Sequence, residues 1–397
     1  MKTKIFGTLF FVALSALAAA IEPVSSYKRI EVTLNWDGEA VENVPVLLRL
    51  SEAKIKDFQY SDVTSSGFEI VDESGDLLPY EIDTWDTEGE SLIWVNVENY
   101  ENGAKLFVRY GGRFANPPLD TADTWNSYVG VWHLNEMNEG DVYLNSTATK
   151  NLDGEKANAS KANEAGRFGK SVMITDAVIA GVNADKNTRG GVFVKDLGEA
   201  SALDMEGCFT ISGWFKHNEL ANGYKNDKLF TKRSGDSGSG GFFAQVGSEG
   251  KLVAYGKGNS TIAEYGSFTS AIGSGWSYVT FVYEATRVSM YLNGELKKPN
   301  GKNVPTDMNN PKDWAKEVGQ IEDNNSPLCF GNVDYEYTSN SKAGNNAWRG
   351  WIDEVRLSRG VRTMEWIKAE YHAMAADDAV TYSDAVTVNA GFKVIVR

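Results

Sequence analysis

The chain has 397 residues, of which 42% are hydrophobic and 23% charged, and its 39 Lys and Arg against 54 Asp and Glu give a formal net charge of −15. That acidic surplus repels phosphate and anionic lipid, which excludes nucleic acid as the expected partner. With 9 Pro, 39 Gly and 12% aromatic residues, the composition is neither collagen-like nor low-complexity, and the length predicts two domains or one large one with an attachment.

At the N-terminus, Lys2 and Lys4 precede an apolar run from Ile5 to Leu17, and Ala18, Ala19 and Ala20 follow. This is the pattern of a secretory signal peptide over residues 1–20. The apolar run is too short to cross the roughly 30 Å of a bilayer's hydrocarbon as an anchor. The expectation is therefore a secreted, periplasmic or cell-surface protein with no transmembrane segment in its mature chain. Removal of Lys2 and Lys4 moves the formal net charge from −15 to −17.

Between Ile21 and Arg113, short runs rich in β-branched and aromatic residues succeed one another: Val32–Trp36, Val44–Leu50, Phe68–Val71, Ser91–Val97 and Lys105–Tyr110. Turn residues such as Asp37-Gly38 and Asp72–Asp76 separate them, which predicts a small antiparallel β-sandwich. Residues 114–127, with Asn116-Pro117-Pro118, read as a stiff linker. From 128 to 375 a second series follows: Val129–Glu136, Phe168–Val172, Phe209–Lys216, Gly241–Val246, Trp276–Tyr283, Val288–Leu292, Leu328–Phe330 and Trp348–Ser358. Asn293-Gly294 is a type I′ hairpin signal, because both residues accept positive φ. Past the last strand, Thr363 can cap a short helix on which Met364, Ile367, Tyr371 and Met374 share one face. His372 on that helix reads as a surface or capping residue. The tail, 376–397, ends in Phe392–Arg397 and reads as one more strand, either paired with the first domain or serving as an attachment segment. Cys208 and Cys329 each lie inside a strand-like run, as a disulfide or as two free thiols.

Two resemblances follow from these residues. Tyr27–Ile30, Pro45–Leu50, Phe68–Gly75, Leu78–Ile82, Trp85 and Val108–Gly112 are similar to the bacterial domain of unknown function numbered 2341. That resemblance implies a location beside jelly-roll domains in secreted proteins, and no established activity. Trp132-His133-Leu134, the loop around Asn145, Gly169-Lys170, Phe209–Lys216, Tyr291–Leu296 and Trp348–Ser358 resemble laminin G-like, concanavalin A-like jelly rolls. Together they imply an all-β fold: a small antiparallel β-sandwich followed by a larger concanavalin A-like jelly roll with a short C-terminal helix. Asn145 stands where that family usually shows an acid, which weakens a metal ligand in that loop.

Chemistry is sparser. Glu81-Ile-Asp83-Thr-Trp-Asp86 resembles the Glu-x-Asp-x-x-Glu strand of family 16 glucanases, where paired carboxylates carry out retaining hydrolysis. Its place in a domain of about 90 residues favours instead acidic residues on the solvated face of a strand. Asp353 lies where several jelly rolls of this type place a calcium ligand, so a structural calcium is the expected cofactor; the alternative is that Asp353 or Glu354 bonds backbone or pairs with Arg356. Sugar recognition needs aromatic rings at a rim. Trp214, Trp276 and Trp351 sit in strand patterns and read as core, whereas Trp314, Tyr335 and Tyr337 lie in loops and are the candidate ligand-binding residues. The reading is a secreted, non-catalytic, lectin-like protein that binds a carbohydrate or cell-surface component. The alternatives are a concanavalin A-like glycoside hydrolase and a structural or protein-binding envelope protein; fold alone does not choose among them.

Overall fold

A computed structural model describes residues 26–63, 67–112, 114, 120–135, 137–138, 141–157, 159–174, 190–198, 201–205, 207–218, 227–233, 241–247, 250–258, 261–284, 288–297, 299–300, 324–332 and 347–389. The signal-peptide segment, Asn116–Pro118, Trp314, Tyr335, Tyr337 and the terminal run Phe392–Arg397 lie outside the described residues. The described chain is all-β with one α-helix, and among these residues no helix is long and apolar enough to cross a membrane.

The first sandwich has two antiparallel sheets. One joins Tyr27–Leu34, Lys105–Tyr110 and Phe68–Val71, and the other joins Val41–Leu50, Ser91–Tyr100 and Tyr80–Thr84. Along Tyr27–Leu34 the side chains alternate as a half-buried strand requires, with Ile30, Val32 and Leu34 inside. Ser91–Val97 is instead buried at every position. It is the middle strand of its sheet, and Trp94 on it packs against Trp125 of the connecting segment and His133 and Phe168 of the second sandwich, so both of its faces are covered. That double burial accounts for its imperfect alternation in the sequence.

The second sandwich stacks an eight-stranded sheet on a ten-stranded one. The eight-stranded sheet centres on Gly350–Arg359, flanked by Phe209–His217 and Lys170–Ile174, with Gly130–Trp132 also paired to it. The ten-stranded sheet includes Gly154–Lys156, Val192–Val194, Leu328–Phe330, Asp227–Arg233, Gly241–Val246 and Lys251–Gly258 in spatial order. Phe209, Phe215, Phe230, Phe242, Phe281 and Trp348 fill the space between the sheets. The expected hairpin forms between Val288–Leu292 and Glu295–Leu296, with φ of 53° at Asn293 and 76° at Gly294.

The helix Met364–Ala375 starts where expected, with Thr363 Oγ1 accepting from the Trp366 amide. It is buried on more than one face. Ile367 and Met374 lie on the expected stripe, but Trp366 and Glu370 are buried too, and Trp366 Nε1 donates to the Glu42 carbonyl of the first sandwich. The helix is thus wedged between the two sandwiches, and one continuous core joins it to the first sandwich and to Trp214, Tyr278 and Tyr291 of the second. Trp214 is core as expected, while Trp276 and Trp351 are only part-buried. After the helix the chain returns to the first domain, where Val380–Tyr382 and Val386–Val388 pair antiparallel with Tyr27–Leu34. Cys208 and Cys329 are free thiols, the first exposed and the second buried.

Candidate functional site

The junction between the sandwiches holds a buried chain of charge. A bulge on Tyr80–Thr84, between Ile82 opposite Ile93 and Thr84 opposite Leu92, re-aims Asp83. The expectation of solvated acids is overturned for two of the three, the Asp83 side chain being 1% exposed and that of Glu81 20%, while Asp86 past the strand is exposed. Asp83 and Glu81 meet the second sandwich instead of water. Glu81 Oε2 accepts from Trp125 Nε1 and lies 3.2 Å from His133 Nε2, while Oε1 accepts from Ser146 Oγ at 2.9 Å. Asp83 accepts from Asn135 Nδ2 and, at 3.1 Å, from Thr84 Oγ1.

His133 comes just after the strand Gly130–Trp132, so its position is fixed by that strand's pairing with Gly350–Arg359. Its Nδ1 lies 2.6 Å from Glu354 Oε1 and 3.8 Å from Asp83 Oδ1. Glu354 owes its position to a second bulge. The register passes from Ser212 opposite Arg356 to Trp214 opposite Asp353, and Glu354 takes φ of 49° at the extra residue. Arg356 then carries the chain of charge onward, its Nη2 donating to Glu354 Oε2 at 2.9 Å and its Nη1 to Glu370 Oε1 at 3.0 Å. Its guanidinium lies 4.4 Å over the Trp94 ring, and Tyr128 and Tyr278 donate to Glu370 at 2.6 and 2.7 Å.

These contacts set the ionisation of the group. Burial, opposed by His133 and reinforced by Glu354, pushes Asp83 up to about 6. Burial would neutralise His133, but Glu354 and Glu81 outweigh it and hold the imidazole well above its usual range. Burial would likewise raise Glu81, yet His133 and the donors Trp125 and Ser146 hold its carboxyl below the ordinary carboxylate value.

Asp353, the expected calcium ligand, faces a different partner. Its Oδ2 accepts the backbone N–H of Arg167 at 2.6 Å and of Phe168 at 3.0 Å, and Oδ1 has no hydrogen-bond partner among the described residues. A Cβ at Gly166 would come within 2.7 Å of Asp353 Oδ2, so this turn is held against the carboxylate only because position 166 is glycine. Both halves of the alternative expectation are met: Asp353 bonds backbone, and Glu354 pairs with Arg356. Asn145 organises its own loop, with Oδ1 accepting from Val131 N and Nδ2 donating to Thr147 Oγ1 and the Thr149 carbonyl. His372, expected as a surface or capping residue, is instead half-buried with its ring Nδ1 3.0 Å from the Tyr100 hydroxyl, and the helix's C-cap is Ala376.

A second feature lies on the ten-stranded sheet. Core positions on its strands alternate with residues of the other face, and the register Glu155, Phe193, Cys329, Thr231, Phe243, Tyr255 runs straight across six strands on that face. Phe243 and Tyr255 stack with centroids 4.7 Å apart and planes 7° from parallel. The Arg233 guanidinium lies 4.7 Å over Tyr255, and Lys228 Nζ lies 4.1 Å over Phe243. Phe243 is part-buried and is the accessible ring of the row, whereas Tyr255, Arg233 and Lys228 are buried around it and Lys228 Nζ donates to Gln245 Oε1.

Sequence reasoning did not single out His133, Arg233, Phe243 or Tyr255. The alternation of Phe242 and Ala244 with Phe243 and Gln245 contains the signal that Phe243 faces away from the core, but only topology sets it beside Tyr255. Trp314, Tyr335 and Tyr337 are not placed by the described residues.

The family model described as concanavalin A-like lectin/glucanases superfamily matches residues 192–368, and the second sandwich is a concanavalin A-like domain. No curated protein matches the chain. Among solved structures, the binding domain of Paraclostridial Mosquitocidal Protein 1 is 15% identical, with a TM-score of 0.42 over 62% of this chain and 52% of that one. Domain 4 of an extracellular arabinanase from Geobacillus stearothermophilus, in complex with arabinotriose, is 15% identical with a TM-score of 0.35, covering 56% of this chain and 84% of that one. Trypanosoma rangeli sialidase is 11% identical with a TM-score of 0.39, covering 79% and 44%. The chain thus spans about half the length of the mosquitocidal binding domain and less than half that of the sialidase.

Proposed function

We propose that this is an exported, non-catalytic recognition protein that holds a carbohydrate, or a sugar-bearing surface component, on its jelly roll. The aromatic and cationic row on the ten-stranded sheet carries this reading. Pyranose rings present apolar C–H faces that stack on aromatic rings, and their hydroxyls accept from guanidinium and ammonium donors. Phe243, Tyr255, Arg233 and Lys228 bring both kinds of group together on one face. Hydrolysis is disfavoured by the state of the one glucanase-like motif: Glu81 and Asp83 lie inside the domain junction and spend their oxygens on Trp125, His133, Ser146 and Asn135. Retaining chemistry needs both carboxylates to flank a glycosidic bond, and the Asp83 side chain is 1% exposed.

Export through residues 1–20 belongs to the same proposal, as does the kinship of residues 27–112 with the uncharacterised bacterial family. A structural calcium at Asp353 would bind through Oδ1, since Oδ2 already accepts two backbone N–H groups. The test is retention of the purified protein on a glycan array and on insoluble polysaccharides, with calcium or chelator, while reducing-sugar release is followed. We expect retention without release, weakened about tenfold in Phe243→Ala or Arg233→Ala, which corresponds to about 1.4 kcal/mol. Sugar release by the wild-type protein, or full retention by both variants, would overturn the proposal. Loss of retention in chelator would support the calcium.

A further inference from the structure

We propose that Asp83, His133 and Glu354 form a divalent transition-metal site of the zinc class, shared by the two sandwiches. One ligand atom from each lies within 4.8 Å of the others. Asp83 comes from the first domain, and in the second His133 directly follows a strand paired with the one that carries Glu354. The glycan reading is not needed for this site, which stands on the geometry of the junction alone.

The surroundings of each ligand are those a metal site requires. A metal-bound imidazole donates its other N–H to an oxygen that fixes the ring and its tautomer. Glu81 Oε2 sits 3.2 Å from His133 Nε2 and supplies that oxygen, leaving the Nδ1 lone pair aimed at Glu354 Oε1 and Asp83 Oδ1. Glu354 has its other oxygen held by Arg356 Nη2, and Asp83 has its other oxygen held by Thr84 Oγ1. His133 and Glu354 are thus braced through the atom that would not bind metal, while Asp83 is held at both oxygens, Oδ1 also accepting from Asn135 Nδ2. His133 Nδ1 and Glu354 Oε1 are 2.6 Å apart, and a tetrahedral cation about 2.1 Å from each needs that gap to open to about 3.4 Å.

One imidazole nitrogen and two carboxylate oxygens suit Zn²⁺ or its neighbours in the first transition row better than Ca²⁺, which takes oxygen ligands throughout. Three protein ligands leave a fourth position for water.

The purified full chain, stripped with a strong chelator, is titrated with zinc chloride by calorimetry and, separately, with cobalt chloride while visible absorption is recorded. The expected result is one saturable equivalent, the intense d–d bands of four-coordinate cobalt, and a thermal midpoint that rises with zinc but not with equimolar calcium. Asp83→Asn and His133→Gln should each abolish that equivalent, and Glu81→Gln should weaken it about 10- to 100-fold. Where a variant fails to fold, the wild-type cobalt spectrum and its bleaching by zinc decide. No saturable equivalent in the wild-type chain, octahedral cobalt bands only, or undiminished binding in folded Asp83→Asn and His133→Gln would overturn the site.

Discussion

Arg356 is the cation on which the buried charge of the junction turns. It is 1% exposed, bonds Glu354 on its own strand and Glu370 on the helix, and lies over the rings of Trp94 and Trp125. Removing one partner of such a group strands the others as uncompensated charge, at about 3–5 kcal/mol. We therefore expect Arg356→Met to lose stability of that order in urea unfolding, and Arg356→Met with Glu370→Gln to recover part of it; full stability in the single variant would refute the account. His372 offers a test by pH. Burial against Trp36 and Tyr100 lowers its pKa from 6.5, and the facing carboxylates Asp378 and Asp37 only partly offset this. The unfolded chain then takes up a proton at higher pH than the folded one. Stability that is whole above pH 6.5 is lost as the pH falls below it, until the folded-state pKa is reached. Comparing wild type with His372→Gln between pH 7 and 5 isolates this contribution, and the variant should lose less stability over that range; parallel curves would remove His372 from the explanation.

At the scale of elements, the two strands after the helix protect an edge. Val380–Tyr382 and Val386–Val388 cover the side of Tyr27–Leu34 that Lys105–Tyr110 leaves open, and Tyr382 Oη accepts from the Arg49 amide of the facing sheet. A chain ending at Asp378 would expose a row of unpaired backbone groups and should aggregate with increasing concentration, as followed by light scattering. A chain ending at Asn389 keeps both strands and should remain monodisperse to the same degree as the full chain; equal behaviour of the two truncations would show that the strands do not protect the edge. Much of this architecture could be read in the sequence. Phe68–Val71, Lys105–Tyr110 and Phe209–His217 were legible because β-branched and aromatic residues cluster between turns, and Asn293-Gly294 because only a few residues tolerate its φ. The helix was legible as one apolar stripe, but periodicity could not say that a second body packs on Trp366. The junction was not legible, since nothing near Glu81 or Asp83 announces that His133, about 50 residues away, is their counter-charge. The aromatic row was hidden for a related reason, because Phe243 and Tyr255 become neighbours, and Phe193 joins their row, only through strand pairing.

At the scale of the whole molecule, the two sandwiches do not behave as beads on a linker. The sheet that carries Trp94 has one face in the first sandwich's core, while its other face meets Trp125, Phe168 and the helix. Cut away from residues 120–389, the first sandwich would expose that apolar face and leave Glu81 and Asp83 without His133, Trp125 or Asn135. Exposed apolar surface costs about 25 cal/mol per Å², and a domain of this size has only a few kcal/mol of stability to lose. The second sandwich would in turn lose the cover over the charged chain that runs from His133 to Glu370. Each body therefore depends on the other for burial of groups that neither can expose cheaply, which couples their unfolding. We expect calorimetry of the full chain to show one transition with matching calorimetric and van't Hoff enthalpies, and a fragment of residues 26–113 to show no cooperative transition. Two resolved transitions, or a fragment that melts cooperatively by itself, would mean that the junction is a contact between independent domains. Because the proposed metal site draws ligands from both bodies, zinc should shift that single transition upward as a whole, as binding to the native state alone requires.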